Sequence, residues 1–82
     1  MHYQIIFKPR AFKDGEKIPK QMRGRIFEKI TLLENDLTGN VKHLTDFFPE
    51  YRLRVGDYRI LFEIEGDRVV VYRIRHRKDV YK

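Results

Sequence analysis

The sequence contains no cysteine and no tryptophan, and it has only three prolines and two methionines. Without cysteine, the chain can form no disulfide framework, no thiolate metal site and no thiol nucleophile. No apolar run approaches the roughly twenty residues that a membrane-spanning helix needs, and residues 1–7 lack the basic region and small-residue cleavage site of a signal peptide. We therefore expect a cytoplasmic protein with no membrane partner, which holds its fold by packing or by a partner protein.

The length and the charge of the chain limit what it can be. Its 82 residues suit one small domain, and we expect residues 1–82 to form it. Five tyrosines and six phenylalanines argue against disorder. Lysine and arginine number 18 against 12 aspartates and glutamates, which gives a net charge of +6. A surface of this sign favours anionic partners such as nucleic acid, acidic protein or lipid headgroups.

The first half of the chain predicts one strand and two helices. Residues 3–8 are short, apolar and rich in β-branched and aromatic side chains, which predicts a strand covered on both faces. A short helix over residues 10–14 follows, and Gly15 would end it. A longer helix opens at Pro19. Its apolar side chains recur every three or four residues on one stripe that faces a core: Met22, Ile26, Ile30, Leu33 and Leu37.

The C-terminal part predicts a three-stranded antiparallel meander. Residues 51–55 alternate strictly between apolar and polar side chains, which is typical of a strand with one buried face. Gly56 and Asp57 form a two-residue hairpin turn before a second strand at residues 58–64. A similar Gly-Asp turn precedes a third strand at residues 69–74.

The predicted element order is strand, helix, helix, strand, strand, strand. It indicates an α+β protein with a small antiparallel sheet and an N-terminal helical hairpin packed on one face. Residues 41–50 are expected to be an irregular connection, because Pro49 is excluded from a central strand. Three apolar side chains would anchor this connection: Leu44, Phe47 and Phe48.

Arginines concentrate on one face of the predicted meander. The first turn pairs Arg54 with Arg59, and Arg52 projects to the same face because directly paired residues share a face. Like charges placed opposite each other mildly destabilise a sheet, whereas guanidinium forks suit phosphate oxygens. A solvated basic face and an anion site both fit this pattern. A simple second turn would put Arg73 on the apolar face, so a wider turn, a bulge or a late twist is required.

Few other side chains offer chemistry. His76 suits proton transfer near neutral pH, although a surface histidine in a basic segment fits equally well. Tyr81 could stack on a base or donate a proton, or it could simply dock on the sheet. His2 and His43 have no companions at metal-ligand spacing, so we expect no metal and no cofactor. An enzyme built from arginines, one histidine and one tyrosine would suit phosphodiester chemistry with an RNA 2′-hydroxyl as nucleophile.

Three segments carry a resemblance to a known family: YRLRVGDYRI (residues 51–60), VVVY (residues 69–72) and HRKDVY (residues 76–81). They resemble the RelE/ParE toxin superfamily of type II toxin–antitoxin systems, and the resemblance covers essentially the whole chain. Members of the RelE branch are ribosome-dependent mRNA endonucleases that cut the A-site codon by 2′-hydroxyl attack. The resemblance therefore implies an endoribonuclease that acts on mRNA and the ribosome. It also implies a cognate antitoxin that holds the toxin in a hetero-oligomer.

The resemblance also implies roles for individual residues. Arg52 and Arg54 match two basic positions that serve in proton transfer and phosphate binding. Arg59 and Arg77 match arginines that stabilise the transition state. Tyr81 matches the C-terminal tyrosine that stacks on the substrate base.

One departure from the family leaves the proton acceptor open. The best-studied members carry lysines at the first two of these positions, and arginine is a poor general base because it hardly loses its proton. The acceptor would then be His76, or charge stabilisation alone would suffice. Two other functions share this fold: poisoning of DNA gyrase in the ParE branch, and non-catalytic nucleic-acid binding. The basic and tyrosine positions favour the mRNA endonuclease.

Overall fold

A computed structural model describes the backbone of residues 2–80 and the side chains of residues 2–79. None of the helices in this part of the chain is long and apolar enough to cross a membrane. The elements are, in chain order, β1 (Gln4–Phe7), α1 (Pro9–Glu16), α2 (Lys20–Thr31), a 3₁₀ turn (Leu32–Glu34), β2 (Val41–His43), β3 (Tyr51–Val55), β4 (Tyr58–Glu65), β5 (Arg68–His76) and α3 (Arg77–Val80).

The strands form one mixed sheet in the order β1-β5-β4-β3-β2. The prediction of a wholly antiparallel sheet was wrong, because β1 pairs with β5 in parallel while the remaining pairs are antiparallel. The residues of β1 do not specify which distant strand they meet. β1 is also an edge strand, so Ile5, Ile6 and Phe7 are half-buried and not covered on both faces as expected.

β2 is a strand that the sequence pattern did not predict. Its three residues pair antiparallel with residues 51–53 of β3 at the far edge of the sheet. A three-residue strand that contains a lysine and a histidine offers too little alternation to be recognised. The predicted element order was therefore incomplete, and it also lacked α3. Residues 44–50 form an irregular connection, as expected.

Both helices differ slightly from their predicted bounds. α1 extends to Glu16, so Gly15 lies inside the helix and does not end it. A β-carbon there would lie 2.9 Å from Cζ of Phe27 on α2, so a larger residue would force that ring to move. α2 begins directly after Pro19, as predicted. The central part of its apolar stripe is buried, and these residues are Ile26, Ile30 and Leu33.

The core lies between the two helices and one face of the sheet. Ala11 of α1 and Ile26 of α2 belong to one buried cluster with the inward-facing residues of the three long strands. Phe62 at the centre of β4 is fully buried and is the largest of these side chains. This arrangement confirms the α+β class and the packing of helices on one side. The opposite side of the sheet carries neither α1 nor α2.

The β3–β4 hairpin has the predicted register. Gly56 occupies the turn with a positive φ of 57°, and Arg54 lies directly opposite Arg59. A β-bulge interrupts the next hairpin, because Tyr72 is an extra residue between the pairs formed by Phe62 and Leu61. The bulge moves Arg73 opposite Leu61. The bulge, and not a wider turn or a late twist, therefore keeps Arg73 off the apolar face.

Candidate functional site

Arginines from three neighbouring strands lie side by side on the face of the sheet opposite the helices. Arg54 of β3 pairs with Arg59 of β4, and Arg59 pairs in turn with Arg75 of β5. Directly paired residues share a face, so the three side chains form a row. Arg52 and its β2 partner Lys42 lie on the same face in the neighbouring row of paired residues. We call this surface the arginine face: Lys42, Arg52, Arg54, Arg59 and Arg75.

The charges of this face are only weakly compensated within the protein. Neither Arg52 nor Arg54 forms an ion pair with any described residue. Placing Arg54 directly opposite Arg59 costs stability, because like charges repel across a strand pair. Two acidic side chains on the same face, Glu63 and Glu65, lie farther along β4. Glu63 accepts a hydrogen bond from the Glu50 amide. An anionic partner would relieve the repulsion among the arginines.

Arg59 differs from the other members of the arginine face because it is buried, with 6% of its surface exposed. Its Nη1 donates hydrogen bonds to the carbonyl oxygens of Gly56 (2.9 Å) and Tyr58 (3.1 Å). Its Nε has no hydrogen-bond partner among the described residues. The guanidinium is therefore tied to the hairpin turn and contributes a fixed positive charge on the strand next to the exposed Arg54.

Arg73 is withdrawn from the arginine face by an ion pair with Asp14 of α1. The Asp14 carboxylate accepts hydrogen bonds from Arg73 Nε (2.7 Å), Arg73 Nη2 (3.2 Å) and the Ile74 amide (3.0 Å). Burial alone would raise the pKa of Asp14, but these bonds outweigh it and hold the pKa below its usual value. The hydrogen bond to Asp14 raises the pKa of Arg73. This pair joins α1 to β5 and serves the fold.

His76 lies on the opposite side of the sheet from the arginine face. It pairs with Tyr58, whose ring packs against the core, and the two rings meet edge to face with centroids 5.3 Å apart. Its Nδ1 accepts a hydrogen bond from the Lys78 amide at 3.2 Å. The structure therefore does not bring His76 together with Arg52 and Arg54.

The two remaining predicted residues lie at the C-terminal end of the chain. The Arg77 amide donates to the Asp57 carbonyl oxygen at 2.7 Å, and Arg77 Nη1 lies 3.8 Å from Asp57 Oδ1. Arg77 is thus placed beside the hairpin turn that also holds Arg59. Tyr81 lies outside the described residues.

Two members of the arginine face were not among the predicted site residues. Lys42 was missed because β2 was not recognised as a strand. Arg75 was missed because its pairing with Arg59 depends on the bulge at Tyr72. The basic run that ends β5 was the signal that could have found Arg75. No group of metal-binding side chains occurs among the described residues.

Comparison with known proteins places this chain among the toxins of type II toxin–antitoxin systems. Residues 5–81 match the family model described as the ParE toxin of the type II toxin–antitoxin system parDE. The chain is 34% identical over 85 residues to Toxin RelE3 of Methanocaldococcus jannaschii, covering 95% of this chain and 94% of that protein. The chain belongs to the RelE/ParE toxin superfamily, and it is a RelE-like toxin of a type II system.

Solved structures agree with this assignment. The toxin of the RelB–RelE complex from Methanococcus jannaschii matches with a TM-score of 0.78 at 32% identity, covering 93% of this chain and 94% of that one. The RelBE2 complex of Mycobacterium tuberculosis matches with a TM-score of 0.79 at 25% identity, covering 93% and 99%. The E. coli RelBE complex, at 16% identity and a TM-score of 0.64 with 93% and 96% covered, shows the shared fold alone.

Proposed function

We propose that this toxin is an endoribonuclease that cuts mRNA codons in the ribosomal A site, in the cytoplasm, by attack of the RNA 2′-hydroxyl. The observation that carries the proposal is the row formed by Arg54, Arg59 and Arg75 on the open face of the sheet. Three guanidinium groups held on adjacent strands offer a phosphodiester a concentrated positive charge.

The chemistry requires stabilisation of negative charge more than any other contribution. The 2′-hydroxyl gives up its proton to water as its oxygen attacks the adjacent phosphorus, which forms a pentacoordinate phosphorane. The P–O5′ bond then breaks and the leaving 5′-oxygen takes a proton from water, which leaves a 2′,3′-cyclic phosphate and a free 5′-hydroxyl. Arg54 is the exposed member of the row and would contact the phosphate oxygens, with buried Arg59 beside it on the neighbouring strand. Charge-stabilising groups of this kind contribute roughly 10²–10³ in rate each.

The position of His76 favours charge stabilisation over a histidine base. His76 pairs with Tyr58 on the helix side of the sheet, and the cavity that it lines contains Arg75 but neither Arg52 nor Arg54. Arg77, beside the hairpin turn, is better placed to contribute a second charge at the end of the row. Tyr81 keeps its proposed role of stacking on the substrate base.

A cognate antitoxin would neutralise the toxin in a hetero-oligomer. The M. jannaschii and M. tuberculosis relatives and the Pyrococcus horikoshii RelE were each solved as a toxin–antitoxin complex. An acidic antitoxin segment would suit the arginine face, because Arg52 and Arg54 have no ion-pair partner among the described residues.

Gyrase poisoning is the second candidate function. The match of residues 5–81 to the ParE toxin model favours it, and so does the absence of a histidine or carboxylate beside Arg54 in the described row. A toxin of that kind needs no cleavage site, so substitutions in the row would leave its toxicity largely intact.

Inducible expression in a bacterium distinguishes the two functions. We would compare the wild type with Arg54→Ala, and with Arg25→Ala as a matched control. Arg25 is an exposed residue of α2 on the helix side, so it loses the same charge away from the row. We expect growth arrest with new mRNA 5′ ends inside translated codons for the wild type and Arg25→Ala, but not for Arg54→Ala.

Each alternative outcome has a definite meaning. Arrest that survives Arg54→Ala and comes with gyrase-dependent DNA breaks would assign the protein to gyrase poisoning. No arrest from soluble wild-type protein would refute toxicity in that host.

A further inference from the structure

The loop over residues 44–50 exposes two phenylalanine rings on the same side of the sheet as the arginine face. Phe47 is 67% exposed and Phe48 is 69% exposed, whereas the large apolar residues of the core are buried. Exposed aromatic side chains next to each other mark a surface with a binding role more often than isolated apolar residues do. Because Phe48 and Pro49 line two cavities at once, they form a ridge between them.

The first cavity joins the aromatic loop to the arginine face. Its volume is about 300 Å³. Its apolar walls come from Leu44, Phe47, Phe48 and Leu61, and two guanidinium groups of the arginine face line it as well: Arg52 and Arg75. No described acidic residue lines this cavity, so it combines flat apolar surfaces with the positive charges of Arg52, which has no ion-pair partner among the described residues, and of Arg75, which donates a hydrogen bond to the Asp79 carbonyl oxygen at 3.2 Å.

The second cavity lies on the other side of the Phe48–Pro49 ridge. It is shallower, with a volume of about 520 Å³. Tyr72 is one of its lining residues, and the Tyr72 ring meets Phe48 edge to face with centroids 5.2 Å apart. Lys8 Nζ lies 5.4 Å from the centroid of the same ring. Lys8 and Arg10 supply its free positive charge, because Arg73 is paired with Asp14. It also has no described acidic lining residue.

We propose that these two cavities bind consecutive unpaired nucleotides of an RNA strand, one base on each side of the Phe48 ring. Arg52 and Arg75 would hold the phosphate of one nucleotide, and Lys8 and Arg10 the phosphate of the next. The alternation of aromatic faces and cations matches the alternation of bases and phosphates in a single strand. The inference rests on the proposed function for its choice of RNA as the polyanion.

Two other occupants fit the surface less well. An amphipathic helix needs one continuous apolar groove for its stripe of side chains, and the Phe48–Pro49 ridge interrupts the groove here. A second copy of this chain would bring arginine faces of the same sign together, at a net charge of +6 for each molecule. A nucleotide strand can cross the ridge because its bases are spaced along a flexible backbone.

Fluorescence anisotropy with the purified full-length toxin tests the proposal. The probe is a labelled single-stranded RNA of about six nucleotides with 2′-O-methyl groups, which block cleavage. The variants are Phe48→Ala and Phe48→Trp. Phe12→Ala is the matched control, because Phe12 is 65% exposed on α1 and lines neither cavity.

We expect Phe48→Ala to weaken RNA binding roughly 5- to 150-fold, the usual range for loss of one base–aromatic stack. Phe48→Trp should bind about as well as the wild type, and Phe12→Ala should be unchanged. An RNA of the same length with abasic sites keeps its phosphates but has no bases to stack. We therefore expect it to bind the wild type as weakly as intact RNA binds Phe48→Ala.

Three results would overturn the proposal. Equal affinities of Phe48→Ala and Phe12→Ala would show that the ridge takes no part. Equal binding of abasic and intact RNA would show recognition of phosphate alone. Binding of an acidic helical peptide that depends on Phe48, together with RNA binding that does not, would assign the surface to a protein partner. Because the probe cannot be cleaved, Phe48-dependent binding without mRNA cleavage in cells would refute the proposed function but not this site.

Discussion

The ion pair between Asp14 and Arg73 can be tested by removing one charge and leaving the shape unchanged. Asp14→Asn keeps the size of the side chain but replaces one carboxylate oxygen with an amide group. The wild-type carboxylate accepts three hydrogen bonds, and its side chain is 14% exposed while that of Arg73 is 25% exposed. Asparagine can still accept from one donor, so the substitution removes the charge and part of the hydrogen bonding.

The expected loss is about 2 kcal/mol in the free energy of unfolding. Hydrogen bonds to charged groups contribute about 1.5–3 kcal/mol each, and partial exposure of this pair places the net loss near the lower part of that range. For a domain of this size, 2 kcal/mol lowers the melting temperature by roughly 8–16 °C.

The difference between the two proteins should depend on pH in a defined direction. The pKa of Asp14 in the folded state lies below its usual value of 3.8. The charged carboxylate therefore stabilises the fold above the unfolded-state pKa, and this contribution is lost as the pH falls through the folded-state pKa. The advantage of the wild type should thus be constant near neutral pH and should shrink below about pH 3.8.

Urea unfolding followed by circular dichroism, from pH 7 down to acid, measures this difference. Glu28→Gln is the control, because Glu28 is an exposed carboxylate of α2 that forms no ion pair with a described residue. Its effect should stay within about 0.5 kcal/mol. The reasoning is refuted if Asp14→Asn is as stable as Glu28→Gln at pH 7, or if its deficit is the same in acid.

Four further substitutions test the packing and the charges. Gly24→Ala should raise the free energy of unfolding by about 0.5–1 kcal/mol, because alanine favours a helix and its β-carbon would meet nothing within 4 Å. Gly15→Ala should lower the free energy of unfolding by about 1 kcal/mol, because its β-carbon would collide with the Phe27 ring. Equal effects in thermal melts would contradict this. Phe62→Ala should cost about 3–5 kcal/mol in urea unfolding, and a loss under 1 kcal/mol would mean that the core is misplaced. Arg54→Gln should stabilise the fold by about 0.2–1 kcal/mol at low salt by relieving like-charge repulsion; a gain that persisted undiminished in high salt would exclude that cause.

The part of the site that depends on local pattern could be predicted from the sequence. Strict alternation over residues 51–55 and the Gly56-Asp57 turn together determine the register of the hairpin. That register places Arg52, Arg54 and Arg59 on one face without any knowledge of the rest of the fold.

The parts that depend on distant contacts could not be predicted. The parallel pairing of β1 with β5 joins segments at opposite ends of the chain, and no local pattern specifies it. The bulge at Tyr72 shifts the register between β4 and β5 and so brings Arg75 opposite Arg59. No local pattern in the sequence of β5 specifies that shift. The burial of Arg59 follows from the side-chain conformation that ties it to the turn, and an alternating pattern predicted only its face.

The pairing of β1 with β5 has a consequence for when the protein can fold during its synthesis. Gln4 lies beside Arg68, which is 64 positions later in the chain. β1 has no other strand partner among the described residues, so the N-terminal strand stays unpaired until most of the chain has left the ribosome. Contacts between such distant segments close large loops and form slowly. The complete sheet is therefore a late product of translation, assembled after the helices and the β3–β4 hairpin are already available.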